Sequence, residues 1–197
     1  MRKLLVLLVL LACIGQTQAR TDGIGKDGND GCICHRASDD TTTISLEGLP
    51  EVYNSSQQYE LVLTIESPVE ENDVKGGFRI LISQGNMTGE VEELDDGYTH
   101  NSSLNKQRVW NITWTAPLED DKLATFVIHG NAVNGNENPL GDKWNSISMA
   151  IPGPNYTGEV KAPELKNSDY EISGVQMVVG VIGIIAVVTL AYFAIKD

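Results

Sequence analysis

The chain has 197 residues and a formal net charge of −13, with 27 acidic against 14 basic side chains. That length allows one ordinary folded domain with appendages. So negative a surface repels nucleic acid and anionic lipid, which excludes a nucleic-acid-binding function.

The first predicted element is a cleavable signal peptide over residues 1–19. Arg2 and Lys3 precede an apolar run, and residues 17–19 (TQA) supply small side chains where signal peptidase needs them. Cleavage there would remove two positive charges and move the formal charge from −13 to −15. The signal predicts that the domain which follows lies outside the cell.

Residues 20–40 form a glycine-rich segment with the most reactive side chains of the chain, Cys32, Cys34 and His35. Three interpretations are open. Covalent haem c attachment would use Cys34 for the thioether and His35 as axial ligand, although the usual motif has two residues between its cysteines and this one has a single residue. A soft-metal site is the second, because thiolates and imidazole suit zinc or copper. A structural pair, disulfide-bonded or free, is the third.

Residues 41–151 read as short runs of alternating polarity separated by turn residues, which predicts β-strands with one buried face. The predicted inward sets are Tyr59, Leu61, Leu63 and Ile65; Phe78, Ile80 and Ile82; Trp110, Ile112 and Trp114; Ala124, Phe126 and Ile128; and Ile147, Met149 and Ile151. With a first strand beginning at Thr43 and Ser45, about seven strands result. The predicted fold class is therefore all-β, an immunoglobulin-like sandwich.

Five Asn-x-Ser/Thr sequons predict a glycoprotein, and they lie at Asn54, Asn86, Asn101, Asn111 and Asn155. An acceptor asparagine has to be exposed. Asn111 tests the predicted strand, because the period of two that buries Trp110 and Ile112 puts Asn111 on the solvent face.

The sequence between residues 131 and 142 predicts an oxygen-rich loop. Asn131, Asn134 and Asp142 are candidate calcium ligands, since calcium prefers carbonyl and carboxylate oxygens. A plain turn is the alternative, because Asn and Gly tolerate positive φ.

The C-terminal part is predicted to anchor the domain. Residues 152–171 are rich in Pro, Gly, Lys and Glu without periodicity, which predicts a solvated stalk. Residues 172–195 contain no charged side chain and, at about 1.5 Å per residue, are long enough to cross about 30 Å of hydrocarbon. We expect one membrane-spanning helix, with residues 196–197 as a cytoplasmic tail and the sandwich outside the cell membrane.

Several motifs between about residues 28 and 150 resemble those of a known family. They are LPEVY at 49–53, KGGF at 75–78, YTH at 98–100, WNITWTAP at 110–117 and HGNAVNG at 129–135. Together they resemble the reelin-type domain, in particular its prokaryotic variant, the choice-of-anchor V domain. This resemblance implies an immunoglobulin-like sandwich in an anchored surface protein. Members of the variant often carry Cys-x-x-Cys-His just before the domain, which favours haem or metal and makes His100 a candidate second axial ligand.

Two functions follow from the sequence. The first is a surface module that binds haem c or a soft metal ion through Cys32, Cys34, His35 and His100. The alternative is a non-enzymatic adhesion or cell-envelope domain that meets a surface protein or glycan. An enzyme is not predicted, because the sequence shows no Ser-His-Asp order, paired acid motif or phosphate loop.

Overall fold

Nine β-strands form two antiparallel sheets in the computed structural model, which describes residues 20–35, 37–165 and 174–196. The strands are β1 (Thr43–Glu47), β2 (Gln58–Glu66), β3 (Gly76–Ile82), β4 (Asn86–Gly89), β5 (Glu92–Leu94), β6 (Gly97–Thr99), β7 (Val109–Thr115), β8 (Leu123–Ala132) and β9 (Lys143–Pro152). One sheet has the order β1-β2-β7-β4 and the other the order β5-β6-β3-β8-β9. The predicted all-β, two-sheet architecture is confirmed, with nine strands in place of about seven.

The core between the sheets is built around two tryptophans of β7. Trp110 and Trp114 are both 0% exposed. Phe78 of β3 packs edge-on against Trp110 with ring centroids 4.9 Å apart, and Phe126 of β8 does the same against Trp114 at 5.0 Å. Because successive side chains on a strand point to opposite faces, these contacts confirm the predicted inward sets of the three strands.

The strands that the sequence does not predict are β4, β5 and β6. Each has only three or four residues, too few to show an alternation of polar and apolar side chains. Asp95 and Asp96 join β5 to β6 with φ of 48° and 57°. Two consecutive positive φ angles are what a type I′ hairpin turn requires, and Asp tolerates them better than most residues do.

The outer faces of the two sheets have different surroundings. On the four-stranded sheet, Asn111 is exposed, as the sequence predicts. On the five-stranded sheet, Arg79 of β3 and His129 of β8 are cross-strand neighbours, and both are buried. They are buried because residues 20–35, called the N-terminal segment below, lie over this face.

Part of the predicted stalk contacts the sandwich. The Gly153 N–H donates to the carbonyl oxygen of Lys122 at 2.9 Å, and Ser148 Oγ donates to the carbonyl oxygen of Pro163 at 2.8 Å. The first half of the predicted spacer therefore runs along the domain, whereas residues 166–171 lie outside the described residues.

An α-helix, α1 (Gly174–Lys196), covers most of the predicted membrane segment. It belongs to a unit distinct from Ala19–Asp169, which holds the sandwich. In the part of the chain that the structure describes, no helix has both the length and the apolar character that crossing a bilayer takes. The predicted signal peptide, residues 1–19, and Asp197 lie outside the described residues.

Candidate functional site

The N-terminal segment is held on the five-stranded sheet by hydrogen bonds along its length. The Ile24 N–H donates to Thr99 Oγ1 and the Lys26 N–H to Asp95 Oδ2, both at 3.1 Å. Near its start, the Thr21 carbonyl oxygen accepts from Asn105 Nδ2 at 3.2 Å. Main-chain groups of the segment make these contacts, so its path is set by hydrogen bonding and not by insertion of large apolar side chains.

Glycine lets the segment approach the sheet closely. At Gly31 a Cβ atom would lie 2.3 Å from Cη2 of Trp144, and the residue has a φ of +114° that L side chains rarely adopt. At Gly23 a Cβ atom would lie 2.3 Å from the carbonyl oxygen of His100. The glycine-rich composition seen in the sequence is thus a requirement of the contact with the sheet.

Arg79 is the central side chain beneath the segment and is 0% exposed. Its Nε donates to Asn29 Oδ1 at 2.9 Å, and its two terminal nitrogens donate to the carbonyl oxygens of Leu94 and Asp95. The guanidinium therefore joins the N-terminal segment to the β5–β6 hairpin. A buried charge needs such partners, because burial without them costs several kcal/mol, on the order of a lost ion pair.

His129 and Trp144 lie on the same covered face. His129 Nε2 donates to the Asn29 carbonyl oxygen at 3.1 Å, and its Nδ1 accepts from the Ser146 hydroxyl at 2.6 Å. The Trp144 ring is 2% exposed and lies edge-on to His129 with centroids 6.4 Å apart. Trp144 is therefore buried by the segment and not by the central core.

His100 lies immediately after β6 and is buried. The backbone N–H of Phe78 donates to His100 Nδ1 at 3.1 Å. The ring packs over Gly77, where a Cβ atom would lie 2.3 Å from Cε1. The structure thus places the candidate second axial ligand as a packed, hydrogen-bonded histidine under the start of the segment.

The CxCH sequence forms a short 3-10 turn, Ile33–His35, at the end of the segment. Cys34 is exposed, whereas Cys32 is 8% exposed, and both are free thiols in this structure. Burial, with Cys34 close by, raises the pKa of Cys32 to about 12. Cys32, just before the turn, and Cys34, within it, therefore have opposite environments.

Asp142 fixes the orientation of His35. Its Oδ2 lies 2.8 Å from His35 Nδ1, and its Oδ1 accepts from the Asn134 N–H at 3.1 Å. The Asp142 side chain is only 5% exposed, while that of His35 is 27% exposed. Because Nδ1 faces the carboxylate, Nε2 of His35 is the nitrogen that remains for another contact.

The four residues predicted to hold haem or metal do not gather into one site. Within residues 20–35, 37–165 and 174–196, no group of three or more His, Cys, Asp or Glu side chains could hold a metal ion. Cys34 and His35 are adjacent at the surface and Cys32 is buried beside them, whereas His100 is buried under the start of the segment. This arrangement therefore does not form a single site from all four residues.

The predicted calcium loop is organised as a ladder of Asx turns. The Oδ1 atoms of Asn134, Asn136 and Asn138 each accept from the backbone N–H two residues later, at 2.8 to 3.1 Å. Asn131 lies apart from the ladder, on β8, and Asp142 binds His35. The oxygens are thus engaged in the turns, which is the alternative that the sequence left open, and calcium binding stays a prediction.

The sequons lie at the surface of the sandwich. Asn54, Asn86, Asn111 and Asn155 are exposed and Asn101 is half-buried. The cross-strand pairs Thr88–Thr113 and Val62–Asn111 put two of the sequons on the outer face of the four-stranded sheet. Whether any of the five carries a glycan stays a prediction.

We expect the two thiols to react at very different rates. In the folded chain one equivalent of a thiol reagent such as DTNB should react rapidly at Cys34, and Cys32 should react at least about 100-fold more slowly, because it is buried and its thiolate is disfavoured. Mass spectrometry of the labelled chain checks this. A chain in which neither thiol reacts until a reductant is added would instead carry the Cys32–Cys34 disulfide.

We also expect the domain to lose stability between pH 7 and pH 5. Burial lowers the pKa of His100 and of His129 below the ordinary value of 6.5. The unfolded chain therefore binds more protons below about pH 6.5, and stability falls as the pH drops toward the lowered folded values, by at most about 1.4 kcal/mol per pH unit for each histidine. Denaturant unfolding at several pH values measures this slope. His129→Asn should reduce it, and an unchanged slope would contradict the assignment.

Sequence reasoning missed several residues of this site. It singled out neither Arg79 nor Trp144. Asp142 was singled out for calcium and proves to be the partner of His35. The local signal for Arg79 was a charge in the middle of an apolar strand; nothing local marked Trp144.

Comparisons with known proteins bear on the fold. No known family matches the sequence, and no curated protein does. The structure is similar to the human F-spondin reeler domain, with 13% identity over 59% of this chain and 92% of that domain at a TM-score of 0.38. A lipoprotein from Bacteroides thetaiotaomicron matches with 11% identity over 69% of this chain and 91% of its own at 0.39.

A third similar structure is AvmM, which catalyses macrocyclisation in alchivemycin A biosynthesis; it has 8% identity over 63% of this chain and 93% of its own, at a TM-score of 0.40. Values this low describe a likeness between β-sandwich folds and carry no argument about activity. The resemblance to the reelin-type domain is thus accompanied by structural similarity at low identity, and membership of the choice-of-anchor V family stays a prediction.

Proposed function

We propose that this chain is a non-enzymatic interaction domain displayed at the cell surface. The observation that supports it best is the outer face of the four-stranded sheet, which is polar, exposed and carries the sequons at Asn86 and Asn111. The reactive side chains Cys32, Cys34 and His35 lie elsewhere, at the end of the N-terminal segment. A flat polar face of this kind suits contact with a surface protein or a glycan.

Glycosylation tests the extracellular part of this proposal. Chain expressed in its source cells should shift to lower apparent mass after enzymatic or chemical deglycosylation, and Asn111→Gln should remove one increment of that shift. Asn136→Gln is the matched control, since Asn136 is exposed but belongs to no sequon. Intact cells treated with an impermeant protease should lose the domain; protection of the domain on intact cells would refute surface display.

Binding by the sheet face is tested separately. Beads coated with the chain should adhere to source cells, and the double variant Thr88→Arg and Thr113→Arg should lose most of that adhesion because both side chains lie on the polar face. Leu118→Arg is the control, at a position that is 77% exposed outside the sheet. Equal adhesion by all three proteins would remove this face from the proposal.

The proposal includes attachment to the membrane through residues 172–195. It rests on the sequence, since this stretch has no charged side chain and about 24 residues at 1.5 Å each exceed the roughly 30 Å of a hydrocarbon core. Extraction of membranes with alkaline carbonate should leave the chain in the pellet. Val181→Arg together with Ile184→Arg should move it to the supernatant, and a chain that is soluble without these changes would refute attachment.

A second candidate function is binding of haem c or a soft metal at Cys34 and His35. The supporting observation is the bond between Asp142 and His35 Nδ1, because a carboxylate that fixes one ring nitrogen leaves the other available as a ligand. Exposed Cys34 offers one thiol for a thioether, whereas buried Cys32 does not fit a second attachment. A bound haem would supply redox chemistry.

Spectroscopy decides this candidate. Chain made in a host that matures c-type haem should show a Soret band and, after denaturation, retain haem covalently; Cys34→Ala should abolish the retention and Cys32→Ala should not. Absence of both a Soret band and a stoichiometric metal in that preparation would eliminate the candidate. The adhesion assay on the same preparation tests the first proposal independently, because adhesion does not depend on haem or metal.

A further inference from the structure

The outer face of the five-stranded sheet has the properties of a groove that accepts a peptide, and the N-terminal segment is the peptide bound in it. The segment contributes mainly backbone groups, with Asn29 as its main polar side chain in the groove. The groove contributes side chains, among them the buried Arg79, His129 and Trp144. This division between backbone ligand and side-chain receptor is typical of peptide recognition.

The groove selects for glycine. A Cβ atom at Gly23 would meet a backbone carbonyl oxygen at 2.3 Å, and one at Gly31 would meet the Trp144 ring at 2.3 Å. At Gly25 the obstacle is the Asp95 carboxylate at 2.1 Å. A peptide with ordinary side chains at Gly23 and Gly31 does not fit, whereas at Gly25 the Asp95 carboxylate would have to move, so the occupant has to repeat at least the first and last of these glycines.

The segment is held less firmly than the core. Each of its hydrogen bonds contributes about 0.5–1.5 kcal/mol net, and its partly or fully buried apolar side chains include only Ile24 and Cys32. The segment ends before Asp39. The Asp39 N–H donates to the Trp144 carbonyl oxygen at 2.8 Å and holds the start of the sandwich in place. Segments with few apolar contacts open more often than the core does.

We propose that copies of this chain link by exchanging N-terminal segments, so that the segment of one copy occupies the groove of another. A second copy repeats the glycine spacing and restores every contact, and an emptied groove would expose Trp144 and leave Arg79 without Asn29. Exchange therefore replaces each contact with an identical one, and the main difference is the effective concentration of the segment at the groove. Crowding of copies raises the concentration of segments from other copies and so favours exchange. This goes beyond the proposed interaction function, because it uses the five-stranded sheet and names a second copy of the chain as the partner.

A peptide tests the groove. The probe is a fluorescein-labelled peptide of residues 20–35 with both cysteines replaced by alanine, and the acceptor is the full chain carrying Gly31→Val, whose own segment no longer fits. We expect saturable binding to this acceptor and at least tenfold weaker binding to the unaltered chain, whose groove is occupied. A peptide with Gly31→Val is the matched control and should not bind.

Two results would overturn the proposal. In the first, the acceptor still unfolds cooperatively but does not bind the peptide; in the second, it binds both peptides equally. If Gly31→Val does not fold, Asn29→Ala is the acceptor, since it removes only the Arg79 contact.

Exchange between copies is tested with two tagged full chains, one carrying Gly31→Val and one carrying Arg79→Ala. The first offers a groove and the second a segment, so the mixture should co-purify in a 1:1 ratio while each chain alone remains monomeric. Peptide binding without co-purification would overturn exchange. Equal adhesion of the unaltered chain and its Thr88→Arg and Thr113→Arg variant would instead count against the proposed function and leave this groove unaffected.

Discussion

Replacing Trp110 with alanine is expected to lower the free energy of unfolding of the sandwich by about 3–5 kcal/mol. The ring is 0% exposed, packs edge-on against Phe78 at 4.9 Å, and donates from Nε1 to the Leu104 carbonyl oxygen at 2.8 Å. The substitution therefore leaves a cavity between the sheets and also leaves a carbonyl oxygen without its donor. For a domain whose whole stability is about 5–15 kcal/mol, this is a large fraction.

Denaturant unfolding followed by tryptophan fluorescence measures the change, with Trp114 and Trp144 as the remaining reporters. Leu118→Ala is the control, because Leu118 is 77% exposed and its loss should cost no more than about 0.5 kcal/mol. Trp110→Phe should recover part of the loss, since it restores most of the ring volume. A Trp110→Ala chain as stable as the Leu118→Ala chain would contradict the assignment of Trp110 to the core.

Replacing Arg79 with methionine is expected to cost about 2–4 kcal/mol and to loosen the N-terminal segment. The change removes the donors to Asn29 Oδ1 and to the carbonyl oxygens of Leu94 and Asp95, and because these acceptors are not fully buried each lost bond costs about 0.5–1.5 kcal/mol. Methionine keeps much of the volume of the side chain. The loss is therefore one of hydrogen bonds and not of packing.

Hydrogen exchange separates this effect from a general loss of stability. Amides of residues 24–31 should exchange at least about tenfold faster in the Arg79→Met chain. The exchange rates of β7 amides should change only by the amount that the change in global stability accounts for. Arg20→Met is the matched control: Arg20 also contacts the segment, through Asp27 at 2.9 Å, but both side chains are 60% exposed. A surface pair of this kind contributes about 0–1 kcal/mol. Equal exchange in the two variants would show that Arg79 does not hold the segment.

Much of the sandwich could be predicted because its long strands alternate regularly. Trp110, Ile112 and Trp114 share a face in the sequence pattern and are all buried in the structure, while Asn111 between them is exposed. The short strands over residues 86–99, which are β4 and the β5–β6 hairpin, could not be predicted in this way. They have three or four residues each, and the turn at Asp95 and Asp96 uses positive φ at residues that are not glycine.

The candidate site was predictable only in its local part. The reactive side chains Cys32, Cys34 and His35 are adjacent in the sequence, so their cluster could be recognised there. The partner of His35 is 107 residues away at Asp142, and the partners of Asn29 lie on two strands in the middle of the sheet. Such pairs depend on which strands become neighbours, and a single sequence does not contain that information.

The sequence by itself determined the buried faces of the long strands, the positions of the sequons and the glycine-rich character of the segment before the first strand, because each is a matter of local pattern and composition. Only the tertiary structure decided what that segment does. It buries one thiol and exposes the other, and it places all three histidines of the chain at one interface. The physical reason is that burial and hydrogen-bond partners, which set the chemistry of thiols and imidazoles, are properties of the packed sheet and not of residue spacing.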